Sequence, residues 1–229
     1  VVCKLFNFVD ISTPILEHAE VFTNSLGESS DIVSKEMYHF KDQGDDELVL
    51  RPEGTAAVAR ALVSNSLEQN INTKFFYQGP MFRRERPQSG RLRQFHQVGV
   101  EYFGQFNYLS DLEVIILAER FLENLGIRGK LTLQINSLGN KETLKKYNKA
   151  IKTYFEKKFD QLSFNSQARL SKNPMRILDS KDEKDKKLIE NSPDIREFWD
   201  IESRKTFEDI SSGFDRLGIK YQFNRFLVR

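Results

Sequence analysis

Residues 75–103 read FFYQGPMFRRERPQSGRLRQFHQVGVEYF, and this stretch decides the fold. An aromatic run leads in from Phe75 to Phe82, and an aliphatic and aromatic run leads out from Leu92 to Phe103. Between them a basic segment carries Pro87, Ser89 and Gly90, residue types that favour turns. The expected arrangement is two antiparallel strands joined by a long charged loop. Strand side chains alternate in direction, so parity sorts the functional groups. Arg93, Phe95, Gln97, Gly99, Glu101 and Phe103 share one face of the return strand, and Phe75, Tyr77, Gly79, Met81, Arg83 and Glu85 share one face of the outgoing strand. Glycine weakens a strand and often marks close approach of a ligand. Gly99 and Gly79 are therefore read as gaps in a floor that bears a guanidinium, an amide, a carboxylate and an aromatic ring. Such a floor suits a small zwitterion and a phosphate ester. A solvated basic ribbon, or a ribbon that touches nucleic acid, is the plainer alternative. Against it, recessed groups such as Gln97 and Glu101 need partners, which a ligand could supply.

The rest of the composition sets bounds. At 229 residues, 39% hydrophobic and 30% charged, the chain is expected to be globular with a substantial core. A formal charge of +2 means that nucleic-acid contact would need a local patch. Cys3 is the sole cysteine, which excludes an intrachain disulfide and suits a reducing, cytoplasmic setting. His18, His39 and His96 are scattered without ligand spacing, so no protein metal site is expected. No basic-then-apolar leader and no long apolar run is present, and no membrane association is expected. The chain opens on Val1 and closes on the apolar run Phe226 to Val228 before Arg229, which reads as part of a longer protein.

Along the chain, Val1 to Phe8 reads as the end of a helix. Residues Val9 to Glu17 follow as a strand that Pro14 confines to an edge or an irregularity. Met37–Phe40 and Glu47–Arg51 flank an Asp- and Gly-rich turn, a second hairpin. Pro52 and Glu53 then open a helix over Ala56 to Leu67. Glu53 has two readings at this point: a carboxylate at the positive end of a helix, or a ligand-binding group at a strand-to-helix junction. Ser110 and Glu113 form a capping-box pair ahead of a helix that Gly126 ends, and residues 131–136 alternate as a strand. Leu144, Tyr147, Ile151, Tyr154 and Phe155 then recur at helical spacing among lysines. The mixed-sign run Lys181 to Lys187 reads as a solvated helix face, Thr206 to Leu217 as a helix ended by Gly218, and Ile219–Phe223 and Phe226–Arg229 as strands.

At the hairpin the resemblance becomes specific. Phe82-Arg83-Arg84-Glu85, then Arg91 to Gln97, then Glu101 resemble motif 2 of the class II aminoacyl-tRNA synthetases, and within them the histidyl-tRNA synthetase family. Leu50-Arg51-Pro52-Glu53-Gly54-Thr55 is similar to the same family, as is the closing Leu227-Val228-Arg229. The resemblance implies an α+β fold: an antiparallel β-sheet flanked by helices, with a small helical insertion. Its first part would be residues 1–138, the insertion 139–203, and a return to the catalytic core 204–229. It implies that Arg83 and Arg229 flank the α-phosphate and act catalytically. Glu53, Gly54, Thr55, Arg83, Gln97 and Glu101 would bind histidine. Arg83, Glu85, Arg91, Phe95 and Arg229 would bind ATP, which enters with Mg2+ as substrate. It implies tRNA(His) as a further substrate and a homodimer formed through the proline-bearing segment near Pro14.

The same resemblance implies that motif 3 and the anticodon-binding domain lie outside this sequence, so the span alone is expected to be inactive or impaired. Two rivals stand beside it. One is a non-catalytic, synthetase-like regulatory subunit of ATP phosphoribosyltransferase, which would keep the fold and lose the charged groups. The other is a plain RNA-binding module, which would show steep salt dependence and no response to histidine or ATP.

Overall fold

The computed structural model describes residues 1–27, 30–67, 72–86, 88–104, 107–127, 129 and 131–228. It has the expected α+β character and divides into two compact units. The first comprises Val1–Phe106 with Glu113–Phe121, and the second Asn107–Leu112 with Leu122–Arg229.

The first unit is built on the hairpin. Strand β5 (Thr73–Phe82) pairs antiparallel with β6 (Gln94–Phe103), in a register that sets Phe75 opposite Glu101, Tyr77 opposite Gly99, Gly79 opposite Gln97 and Met81 opposite Phe95. Residues opposite one another share a face, so the two parities inferred from sequence fall on the same side. On the other side Phe76, Val100 and Tyr102 pack against Phe8, Cys3 and Leu117. The helices that supply this cover are α1 (Val2–Leu5) and α4 (Tyr108–Asn124). Lys74 is fixed there too: its ammonium bonds to both Glu113 oxygens at 2.6 and 2.7 Å and lies 4.7 Å from the Tyr102 ring centroid.

Residues Val9 to Glu17 form two short strands in different sheets, where one strand was expected. Strand β1 (Val9–Asp10) runs parallel to β5, and β2 (Leu16–His18) runs antiparallel to β4 (Glu47–Leu50), which also pairs with β3 (Tyr38–Lys41). Pro14 lies in the segment between, where no ladder needs its missing N–H. Because β1 pairs with β5 only at Phe75 and Phe76, the edge of β5 is open farther along. Arg51 takes it: its Nε donates to the Pro80 carbonyl at 2.9 Å, and its own carbonyl accepts from the Phe82 N–H at 3.0 Å. Helices α2 (Ala19–Leu26) and α3 (Thr55–Ser64) close over Val49, with Phe22, Ala56 and Ala57 fully or nearly buried.

The second unit has its own core. Helix α5 (Lys141–Glu156) buries Tyr147, Ile151 and Phe155, four residues apart, among Leu162, Leu170, Ile177, Leu178, Ile189 and Ile195. Each such side chain contributes about 2 kcal/mol, whereas an exposed pair such as Lys146–Glu142, screened by solvent, adds little. The apolar stripe therefore fixes the helix. Polar caps start the neighbours: Ser163 before α6 (Phe164–Lys172), Asp182 before α7 (Glu183–Ile189) and Asp200 before α8 (Ile201–Leu217) each accept a backbone N–H.

Three sequence expectations are corrected in this region. Helix α4 begins at Tyr108, and Asn107 caps it by accepting from the N–H groups of Leu109 (2.9 Å) and Ser110 (3.0 Å), in place of the Ser110–Glu113 box. Asp185 is no solvated charge: it is fully buried, and its carboxylate accepts from Ser163 N (2.9 Å), Ser163 Oγ (2.7 Å), Ser166 Oγ (2.6 Å) and Ser180 Oγ (2.6 Å). Strand β7 (Leu133–Ile135) pairs in parallel with β8 (Tyr221–Phe223), but Phe226 to Val228 form no strand. Phe226 and Val228 pack on the α5 core instead, and the carbonyl of the exposed Leu227 accepts from Asn136 Nδ2 at 3.0 Å. Among the described residues no helix is long and apolar enough to cross a membrane.

Candidate functional site

The first unit brings the end of β5, the middle of β6 and the start of α3 together. Chain geometry explains this: β4 runs directly into Pro52, and α3 packs Val58 onto Tyr77 and Met81 of the hairpin. Glu53, just before the helix, turns both carboxylate oxygens onto free N–H groups of its first turn. Oε2 accepts from Thr55 N at 2.7 Å and Oε1 from Ala56 N at 2.9 Å. The helix-capping reading of Glu53 is thus realised, with the side chain 8% exposed.

Thr55, at the helix start, reaches the hairpin: its hydroxyl donates to Glu101 Oε1 at 2.7 Å. Burial pushes the Glu101 carboxyl above the usual range. The Thr55 hydroxyl opposes that shift, and the nearby Glu53 charge reinforces it. Gln97 shares the Glu101 face, and its Oε1 is buried with no hydrogen-bond partner among the described residues. An orphaned acceptor of this kind costs free energy unless something donates to it.

Arg83 extends beyond β5. Its Nε donates to the Pro52 carbonyl at 2.9 Å, and the guanidinium carbon lies 5.1 Å from the Phe95 ring centroid. The contact with Pro52 uses one edge of the guanidinium and orients the fork; an anion can take the Nη groups. Glu85 and Arg91 meet across the turn at 3.2 Å, with Glu85 the more buried partner. Arg229 lies outside the described residues. The structure therefore groups Glu53, Gly54, Thr55, Arg83, Phe95, Gln97 and Glu101 around one hairpin face, and sets Glu85 and Arg91 on the turn beyond it.

The glycine gaps have a different use from the one expected. A Cβ on Gly99 would stand 2.2 Å from the Tyr77 ring, and a Cβ on Gly54 would meet the same ring at 2.2 Å. A Cβ on Gly79 would stand 2.4 Å from Arg51 Nη2. Protein side chains, not a ligand, take these spaces. Tyr77 and Arg51 are the residues that sequence reasoning missed. Their signal was present in the register: Tyr77 faces Gly99 directly, a large ring beside an absent side chain. Arg51 is 6% exposed and its charge is desolvated, which lowers its pKa. Its Nη1 donates to the Thr13 carbonyl (2.7 Å) and hydroxyl (3.1 Å), binding the Pro14 segment to the hairpin. Among the described residues no group of three or more His, Cys, Asp or Glu side chains is placed to hold a metal ion.

Comparison with known proteins gives concordant results. The family model described as histidyl-tRNA synthetase matches residues 5–193. A histidine–tRNA ligase of Streptococcus pneumoniae is 48% identical over 229 residues, covering 99% of this chain and 53% of the relative. That of Pediococcus pentosaceus is 49% identical over 228 residues, covering 98% and 54%. The chain spans about half the length of the curated relatives it matches. Among solved structures, apo histidyl-tRNA synthetase of S. aureus superposes with a TM-score of 0.75 at 34% identity, covering 100% of this chain and 51% of that one. A Bacillus halodurans protein described as an ATP phosphoribosyltransferase regulatory subunit/histidyl-tRNA synthetase superposes with a TM-score of 0.65 at 23% identity. It covers 99% of this chain and 62% of that one, a likeness of fold alone.

Proposed function

The chain belongs to the histidyl-tRNA synthetase family, and from that premise we propose that the whole protein is a histidine–tRNA ligase. In the first step the histidine carboxylate attacks the α-phosphorus of ATP, forming histidyl-adenylate and releasing pyrophosphate. In the second a ribose hydroxyl at the 3′ end of tRNA(His) attacks the mixed anhydride and releases AMP. No protein nucleophile is needed, so the chain's contribution is positioning and charge stabilisation. Arg83 grips the α-phosphate and the substrate carboxylate; the family resemblance assigns Arg229, which lies outside the described residues, a role on the same phosphate. Phe95 stacks on adenine, with Glu85 and Arg91 beside the nucleotide, and magnesium enters with ATP. Glu53 and the Gly54–Thr55 turn receive the α-ammonium. Gln97 and Glu101 read the imidazole, and their recessed polar atoms disfavour isosteres that leave them unpaired.

The observation that carries this reading is the approach of Thr55 to Glu101 at 2.7 Å on the face that holds the unpartnered Gln97 carbonyl. Residues 139–203 are read as an insertion within a catalytic core formed by 1–138 and 204–229. The segment around Pro14 is read as a homodimer interface, and the setting as the cytoplasm. Activity is proposed for the whole protein, not for these 229 residues by themselves. The regulatory-subunit alternative is disfavoured because Glu53, Arg83, Gln97 and Glu101 are all retained around one face. Glu101→Ala in the whole protein is expected to abolish histidine-dependent ATP–pyrophosphate exchange; undiminished exchange removes Glu101 from the site.

A further inference from the structure

Arg51 is assigned no substrate above, yet it holds the junction from which Arg83 takes its direction. Its main chain bridges two segments: the N–H donates to the Ile15 carbonyl at 2.9 Å, and the carbonyl accepts from the Phe82 N–H at 3.0 Å. Its guanidinium bridges the same two, donating to the Pro80 carbonyl (2.9 Å) on one side and to the Thr13 carbonyl (2.7 Å) and hydroxyl (3.1 Å) on the other. The end of β5 is thus gripped at Pro80 and at Phe82, one residue short of Arg83. Pro52 comes next in the chain. It is fully buried and has no N–H of its own to fix its peptide, so its placement against β5 rests on the Arg51 anchors. Its carbonyl accepts from Arg83 Nε at 2.9 Å, and among the described residues this bond and the Phe95 ring are what orient the fork. A ring contact alone leaves a guanidinium free to turn in its own plane; the Nε bond removes that freedom.

We propose that Arg51 is a positioning residue for Arg83: by clamping the Arg51–Pro52 segment to the end of β5, it fixes the carbonyl that aims the Arg83 Nη groups at the substrate carboxylate and the α-phosphate. This rests on the reading of Arg83 as the anion-binding group of the site. An arginine is needed at position 51, because a lysine carries the same charge but no planar fork that reaches Pro80 and Thr13 together. Gly79 leaves the room for that fork, since a side chain there would collide with Arg51 Nη2. Precision at Arg83 matters: a misplacement of about 1 Å in a group that positions substrate can cost about 10²-fold.

The test is calorimetric titration of the whole protein with L-histidine and with L-histidinol, which keeps the imidazole and the ammonium but has no carboxylate. Arg51→Lys is expected to raise the Kd for histidine about tenfold and to leave that for histidinol unchanged, because only histidine presents an anion to Arg83. In the Arg83→Lys background, where no Nε remains for Pro52 to hold, Arg51→Lys is expected to have no further effect on histidine. Thr13→Val removes a single acceptor of the clamp. It is expected to weaken histidine about twofold, again without affecting histidinol, and it decides the matter if Arg51→Lys does not fold. A loss of the same size for both ligands, no loss for either, or an undiminished effect of Arg51→Lys in the Arg83→Lys background would overturn the proposal while leaving the site reading intact. Wild type that binds no histidine would overturn the site reading, and this inference with it.

Discussion

Ser163 donates to Asp185 twice, through its backbone N–H at 2.9 Å and its hydroxyl at 2.7 Å, so one residue of the α6 cap fixes a carboxylate on α7. Ser166 and Ser180 complete the shell. Burial alone would raise this carboxyl's pKa, but the Ser163 N–H and the three hydroxyls outweigh it and hold the pKa below the usual range. Removing the carboxylate leaves four donors without an acceptor in a buried site. Asp185→Ala is therefore expected to destabilise the second unit by on the order of 3 kcal/mol in urea unfolding. The depressed pKa also sets a pH signature. Stability from Asp185 is fully present above the unfolded value near 3.8, and is lost as pH falls through the folded value. Asp185→Asn should flatten that acid limb of the stability curve.

Glu101 has the opposite sign. Its folded pKa is raised above 4.5, so ionisation opposes folding: its favourable contribution is complete below 4.5 and is lost as pH rises through the folded value. Glu101→Gln keeps an acceptor for Thr55 and removes the charge. Its midpoint of urea unfolding should exceed that of wild type at pH 7, and the advantage should disappear near pH 4. A constant difference at both pH values would show that ionisation is not the cause.

Gly99→Ala places a methyl group 2.2 Å from the Tyr77 ring. Overpacking of this kind costs about 1–3 kcal/mol, and a rigid ring between two backbones has little room to yield. The control is Tyr77→Ala, which empties the slot; in that background Gly99→Ala should cost only a few tenths of a kcal/mol. Chemical denaturation of the four proteins measures the coupling directly.

Arg51→Lys tests the fork that binds the Pro14 segment to the hairpin. A lysine cannot serve Pro80, the Thr13 carbonyl and the Thr13 hydroxyl from one planar group. The expected loss is about 2–3 kcal/mol. Amide exchange should rise at Phe82, whose N–H bonds to the Arg51 carbonyl.

The sequence made some of this legible and concealed the rest for definite reasons. The β5–β6 hairpin could be read because alternation has a two-residue period, and a hydrophobic face leaves no freedom of register. Parity alone put Gln97 and Glu101 on one side, as found. The α5 stripe was legible for the same reason at helical period. Asp185 was not, because its neighbours at 181–187 are solvated and the serines that bury it lie 5 to 22 positions away. The division of residues 9–17 between two sheets depends on partners in β4 and β5, which no local pattern specifies. Gly54, Gly79 and Gly99 were visible as places where something comes close, but glycine does not say whether the visitor is a ligand or a tyrosine.

The two N–H groups that hold Glu53 have one more consequence. A carboxylate already immobilised by Thr55 N and Ala56 N has no rotamers left to surrender when a cation arrives. Ordering a free glutamate costs about 0.5–1.5 kcal/mol at the moment of binding. Here that cost has been met during folding, and on the histidine-binding reading proposed above a substrate ammonium would meet a fixed charge instead of having to recruit one.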